Sequence, residues 1–175
     1  MKRIAIMGCS GSGKSTLARA LGERLDLPVY HLDVIFWQPG WVEGDYETFT
    51  PKVQEILAQD KWIIDGGYSK SDPDERRFKD VDVFVFFERS VWLCLWRVMK
   101  RVLQYRNRVR PDMGEGCPEK VDWEFLAYIW NYKKSVAPII LERAARNETA
   151  VIFVRKDPNL DVLIEELTRA ASART

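Results

Sequence analysis

The chain has 175 residues, 46% of them hydrophobic, enough for a proper core in one domain spanning 1–175 with room for a small insertion. A formal net charge of +1 gives no whole-molecule field that would draw nucleic acid or a membrane, and no run of about 20 apolar residues exists to span a bilayer. Three scattered cysteines, Cys9, Cys94 and Cys117, are too few for a disulfide framework or a four-thiolate zinc site, so a reducing cytoplasm is the expected setting.

Ile4-Ala5-Ile6-Met7 is an apolar run of strand length that enters a glycine-rich stretch directly, and so does not read as a signal peptide. That stretch, Gly8-Cys9-Ser10-Gly11-Ser12-Gly13-Lys14-Ser15, fits the phosphate-loop pattern G-x-x-x-x-G-K-[ST], with Thr16 following. Leu17, Ala18, Leu21 and Leu25 then mark one face of a helix. Strand, glycine loop and helix come in the order that the chemistry needs. The glycines let consecutive N–H groups turn inward, and the loop opens onto a helix N-terminus of partial positive charge. Lys14 can reach the β- and γ-phosphates of a nucleoside triphosphate, and the Ser15 hydroxyl can ligate Mg²⁺. Residues Gly8 to Thr16 are therefore the expected nucleotide cradle.

Leu27-Pro28 stops the first helix, and Val29–Leu32 reads as a strand leading into Asp33. A carboxylate there would face the γ-phosphate region, as general base on an acceptor hydroxyl or as holder of a Mg²⁺-shell water; a helix cap or solvated loop acid is the plainer alternative. His31, the one histidine, reads as structural. A helix from about Pro51 to Gln59 would bury Val53, Ile56 and Leu57. Trp62-Ile63-Ile64 is a buried strand ending in Asp65, the carboxylate expected to orient Mg²⁺. Hydrolytic ATPases usually follow that Asp with Glu; Gly66 stands here instead, which favours transfer over hydrolysis.

Val81–Phe87 is the most strand-like run, followed by a helix from about Val91 to Tyr105. Trp123, Leu126, Ala127 and Trp130 mark another helix, and Ala150–Val154 is the last strand. Asp157-Pro158 is expected to start a final helix, with Asp as N-cap, burying Leu160, Leu163, Ile164 and Leu167. Five short apolar strands separated by helices argue for a parallel sheet covered on both faces, with ligands beyond the carboxyl ends of the strands.

The strongest charge feature is Arg97, Lys100, Arg101, Arg106, Arg108 and Arg110, with no acid between Glu88 and Asp112. Arg97 and Arg101, four apart, share a helix face and suit the oxygens of a transferring phosphoryl group. Trp92, Leu93, Leu95 and Trp96 are expected to bury the opposite side, making about 97–135 a basic lid. Adenine is expected near Arg97 and Arg155 to Pro158. A solvated helix face, or a nucleic-acid patch with Tyr105 and the tryptophans stacking on bases, are the alternatives.

Gly8–Thr16, His31-Leu32-Asp33 with Phe36-Trp37, Trp62–Tyr68, Trp92–Arg97 and Arg108–Trp123 together resemble the nucleoside-monophosphate-kinase-like branch of the P-loop kinases. Within that branch the chain resembles the bacterial DNA topology modulation protein family, which is related to adenylate kinase. The resemblance implies an α/β P-loop NTPase fold: three α/β/α layers, a five-stranded parallel sheet in the order 2-3-1-4-5, and a helical lid insertion. It also implies that Asp65 lies near Mg²⁺ and that Arg97 and Arg101 are the lid Arg-x-x-x-Arg, the first packing on adenine and both approaching phosphates. Adenylate kinases grip an acceptor monophosphate with arginines. Between Asp33 and Ser69 this chain has only Lys52 and Lys61, although Lys70, Arg76 and Arg77 follow. The acceptor region, about 33–60, instead offers Asp33, Phe36, Trp37, Trp41 and Tyr46, which suits a hydroxyl-bearing aromatic or sugar-like molecule. Kinases for shikimate and gluconate place an Asp at the equivalent strand end.

The expected activity is that of a Mg²⁺-dependent ATP phosphotransferase acting on a small-molecule acceptor, a hydroxyl-bearing nucleoside or sugar-like metabolite or a nucleotide, with Lys14, Asp33, Arg97 and Arg101 carrying the chemistry. Gly8 to Thr16 with Arg97 and Arg155 would hold ATP, and Ser15 and Asp65 the metal. Two other classes stay open. One is an ATP-dependent regulatory switch affecting DNA topology; the other is a nucleic-acid-binding module using Arg106, Arg108 and Arg110.

Overall fold

In the structure, a computed structural model, residues 1–105, 108–109, 113–120 and 122–173 are described. Arg106 and Arg110 of the expected basic lid lie outside the described residues. Three strands, β1 (Arg3–Gly8), β3 (Trp62–Asp65) and β4 (Val83–Phe87), are near-continuous apolar runs, the composition of strands buried on both faces. With β2 (Val29–His31) and β5 (Val151–Val154) they form one parallel sheet in the order β2-β3-β1-β4-β5, as the resemblance implied. Ile4 lies across from Ile63 and Val83, and Ile6 across from Asp65 and Val85.

Period-two alternation divides the core into two layers. Ile4, Ile6, Ile63, Val83 and Val85 face α1 (Lys14–Leu25) and α8 (Leu160–Ser172), packing with Leu17, Ala18, Leu21, Leu163 and Leu167. Ala5, Met7, Trp62, Ile64, Phe84 and Phe86 face the other way, against α3 (Tyr46–Leu57), α5 (Val91–Gln104), α6 (Trp123–Ser135) and α7 (Ala137–Arg146). Two short helices, α2 (Leu32–Phe36) and α4 (Arg76–Lys79), and a 3₁₀ turn at Ser69–Ser71 complete the fold. No helix among the described residues is long and apolar enough to cross a membrane.

Several local readings need correction. The second strand ends at His31, and Asp33 sits in the first turn of α2 rather than at the end of a strand. Helix α3 starts at Tyr46 instead of Pro51, because Asp45 caps it by accepting from the Glu47 amide at 3.1 Å. Asn159, not Asp157, caps α8, accepting from the amides of Asp161 and Val162. The tryptophans of the basic helix do not bury its far side: Trp92 is 68% exposed, and Cys94 and Val98 are the buried positions. On α6 the buried residues are Ile129 and Tyr132, while Trp123 is 86% exposed.

Candidate active site

The loop between β1 and α1 takes its shape from glycines that no other residue could replace without strain. Gly11 and Gly13 hold left-handed backbone angles, with φ of 79° and 102°. A Cβ on Gly11 would collide with the Cys94 carbonyl of α5, so the loop lies directly against that helix. The Ser12 amide closes the turn on the Cys9 carbonyl at 3.1 Å. Helix α1 begins at Lys14 with no acid in its first turn, so its positive end is open to an anion.

A cavity of about 520 Å³ opens over this loop. Gly11, Gly13, Lys14, Ser15 and Thr16 form one wall; Arg97, Arg101 and Tyr105 form another; Asp157, Pro158 and Leu160 close the side beyond β5. Arg97 Nη1 donates to the Ser12 carbonyl at 3.1 Å, and its Nη2 donates to Asp157 Oδ2 at 2.8 Å. Arg101 Nε lies 3.1 Å from Glu119 Oε2. The Arg97 hydrogen bonds, with the charges of Arg97 and Arg89, hold the Asp157 carboxyl below the usual carboxylate range.

Asp65 comes to this loop from β3 and is 4% exposed. His31 Nδ1 stands 2.8 Å from its Oδ2, and Lys14 Nζ stands 3.9 Å from its Oδ1. Burial alone would push this carboxyl up; the Lys14 charge, then the His31 and Ser15 side chains, bring it below its ordinary value. It is therefore a buried anion. Its Oδ1 has no hydrogen-bond partner among the described residues, which costs free energy unless another group supplies the partner. No group of three or more His, Cys, Asp or Glu among the described residues could hold a metal alone. One carboxylate and the neighbouring Ser15 hydroxyl fit Mg²⁺, which takes few protein ligands and completes its shell with water and phosphate oxygens.

On the sheet's β2 side, the Tyr68 hydroxyl donates to Asp33 Oδ1 at 2.7 Å. Burial, reinforced by the Asp33 charge, pushes the Tyr68 phenol up, so it stays a donor. The Phe36 ring packs 4.7 Å from Tyr68, 5.0 Å from Phe49 and 5.6 Å from Trp37, fixing the aromatic wall beside Asp33. Arg77 is fully buried beneath this turn. Its Nη1 donates to the Gly66 and Gly67 carbonyls and its Nη2 to the Tyr68 carbonyl at 3.0 Å, while Nε meets Asp72 Oδ2 at 3.3 Å. Arg76 pairs with Asp80 at 2.9 Å. Arg76 and Arg77, which follow the stretch that lacks a phosphate grip, thus hold the protein's own groups.

The residues singled out in sequence are not all brought together, although Asp65 does reach Lys14 at the loop. Lys14, Ser15, Thr16, Gly11, Gly13, Arg97 and Arg101 line one cavity. Gly8, Cys9, Ser10 and Ser12 build the loop behind it; the buried Cys9 Sγ lies 3.9 Å from the Ile129 carbonyl. Asp33 lies outside that cavity's lining, beside Tyr68. Arg155 lies elsewhere: exposed, it donates to Glu88 Oε2 at 2.7 Å and does not line the cavity. Sequence reasoning missed the contacts of His31, Tyr68 and Glu119, whereas Asp157 and Pro158 belong to the 155–158 stretch expected beside Arg97 and line the cavity with it. A period-two register pairing the last residues of β2 and β3 would have found His31, which stands opposite Asp65.

No protein-family model and no curated protein matches the chain. Among solved structures it is similar to a shikimate kinase from Acinetobacter baumannii in complex with shikimate, with TM-score 0.60 and 18% identity over 100% of this chain and 95% of that one. It is also similar to a gluconokinase from Sinorhizobium meliloti, with TM-score 0.56 and 19% identity over 98% and 92% of the two chains. A shikimate kinase from Bacteroides thetaiotaomicron gives TM-score 0.56 and 18% identity over 98% and 95%. At these identities the likeness establishes the fold, that of the P-loop kinases. The finer resemblance to the DNA topology modulation family rests on sequence motifs alone.

Proposed function

We propose that this protein is a Mg²⁺-dependent ATP phosphotransferase whose acceptor is the hydroxyl of a small molecule. The single observation that carries the reading is the buried Asp65 carboxylate, held below its ordinary pKa and brought beside Lys14 at the phosphate loop, with Oδ1 facing Lys14 Nζ at 3.9 Å and no hydrogen bond made to it among the described residues. The solved neighbours, named as shikimate kinases and a gluconokinase, add support from the fold.

In this reading Lys14 and the loop amides hold the β- and γ-phosphates, and Arg97 and Arg101 neutralise charge that spreads over the transferring group. Ser15 and Asp65 would hold Mg²⁺, which would neutralise the charge that develops on the phosphates. Asp33, fixed by the Tyr68 hydroxyl, accepts the acceptor's proton. The acceptor oxygen forms its bond to the γ-phosphorus as the bond to the β,γ-bridging oxygen breaks, and ADP leaves with the electron pair. The absence of an acid at Gly66 leaves no water-activating group beside Asp65 in sequence, which favours transfer. A neutral, hydroxylated acceptor is favoured over a nucleoside monophosphate because Arg76 and Arg77 are engaged with Asp80, Asp72 and the 66–68 turn.

A second reading, nucleic-acid binding on the lid helix, keeps one observation: exposed Trp96 has Lys100 Nζ 5.3 Å from its ring. The test is ADP release from MgATP across a panel of sugars, sugar acids, hydroxy acids, nucleosides and nucleotides. Stimulation by one acceptor class that Lys14→Ala abolishes supports the kinase reading. Flat turnover across the panel, with salt-sensitive binding of single-stranded DNA, would replace it.

A further inference from the structure

A second cavity, of about 590 Å³, shares no lining residue with the one over the phosphate loop. It lies where the segment after β4 meets α6, and its walls include Arg89, Lys133, Lys134 and Arg155, with Glu88 the one acid. Four cations against one carboxylate is a local excess that a chain of net charge +1 does not otherwise require. Neither Lys133 nor Lys134 makes an ion pair among the described residues, and both are exposed on α6. Ser90, the N-cap of the fourteen-residue α5, also lines the cavity, makes no side-chain cap, and has no acid in the turn that follows. The positive end of that helix therefore opens here.

An independent observation concerns Arg89, whose side chain is 3% exposed. Its Nη1 donates to the Arg155 carbonyl at 2.7 Å and its Nη2 to Asp157 Oδ1 at 2.6 Å, yet its buried Nε has no partner among the described residues. A buried guanidinium N–H without an acceptor is costly, and a shift of Arg89 toward an anion seated at the α5 N-terminus would supply one. We propose that this cavity is a second anion site, separate from the nucleotide cradle, that takes a phosphate-bearing ligand. Trp130 lines the cavity, braced by Trp92 packed edge-to-face 5.1 Å away, and would cover an apolar portion of that ligand. Asp157 ties the two cavities together, since its Oδ1 accepts from Arg89 and, at 3.0 Å, from Arg97 of the nucleotide cavity. Drawing Arg89 toward a ligand would leave Asp157 more firmly on Arg97.

The site does not depend on the kinase reading and can be tested apart from it. Pyrophosphate is titrated calorimetrically into Lys14→Ala, in which the phosphate loop is disabled, and into the same variant carrying Lys133→Ala and Lys134→Ala. The expected result is one equivalent bound by Lys14→Ala, weakened about tenfold for each exposed lysine removed. No binding to Lys14→Ala would overturn the proposal, and so would binding that survives both lysine substitutions unchanged. Lys133 and Lys134 are exposed, and circular dichroism of each variant checks that the fold is retained.

Discussion

Replacing Asp65 with Asn keeps the shape of the side chain and removes its charge, so it isolates the electrostatic role assigned to that residue. At 3.9 Å, with an effective dielectric of about 20, the attraction between Lys14 and Asp65 is about 4 kcal/mol before desolvation is counted. Burial of the carboxylate offsets much of this, and a net coupling of about 1–3 kcal/mol remains as the expectation for a contacting buried pair. The assay is a double-mutant cycle of wild type, Asp65→Asn, Lys14→Met and the double variant, unfolded in urea and followed by far-ultraviolet circular dichroism. The Asp65 carboxyl is held below the ordinary aspartate value of 3.8, so its stabilising contribution is fully present above that pH and is lost as the pH falls through the lower folded value. Stabilities of wild type and Asp65→Asn should therefore converge on acidification below about pH 4. Additive single effects, with coupling under about 0.5 kcal/mol, or a gap that widens in acid, would refute the reasoning.

Other outcomes follow from the same contacts. Arg77→Met should cost about 3–5 kcal/mol in urea unfolding, because it strands buried Asp72 and three backbone carbonyls, and adding Asp72→Leu should recover a large part of that loss. Asp33→Asn should lower the rate of acceptor-dependent ADP release by about 10²–10⁴-fold while leaving nucleotide affinity close to wild type. Arg101→Ala should reduce that rate by about 10³-fold, with Arg101→Lys recovering only part because a single ammonium cannot reproduce a bidentate fork. Gly11→Ala should lower thermal stability and nucleotide affinity together, since the added methyl meets the Cys94 carbonyl, and differential scanning calorimetry with and without nucleotide reads both.

Much of the candidate site around the phosphate loop was legible in sequence because it is local. The phosphate loop, the apolar strand that feeds it and the carboxylate ending β3 each lie within a few residues, and the parallel sheet follows from strands apolar on both faces. What escaped depends on contacts between distant segments. His31 reads as a lone structural histidine until β2 and β3 are laid side by side and it meets Asp65. Asp157 before Pro158 has the signature of a helix cap; the guanidiniums of Arg89 and Arg97 hold it, and Asn159 takes the cap. Pro51 suggests a helix start, yet Asp45 begins α3 earlier and the helix tolerates the missing N–H. Helix α7 was passed over altogether, although Pro138 stands in its first turn. The tryptophans of α5 and α6 misled for a different reason: hydrophobicity signals burial only on the face that a neighbour covers, and these rings point outward.

The most direct measurement is phosphorus-31 NMR of MgATP incubated with the acceptor that stimulates turnover. The account predicts that the γ-phosphate signal is replaced one-for-one by a phosphate monoester of that acceptor, with ADP formed in equal amount and no such change for Lys14→Ala. Free inorganic phosphate as the sole new species, at a rate indifferent to every hydroxylated molecule supplied, would contradict it.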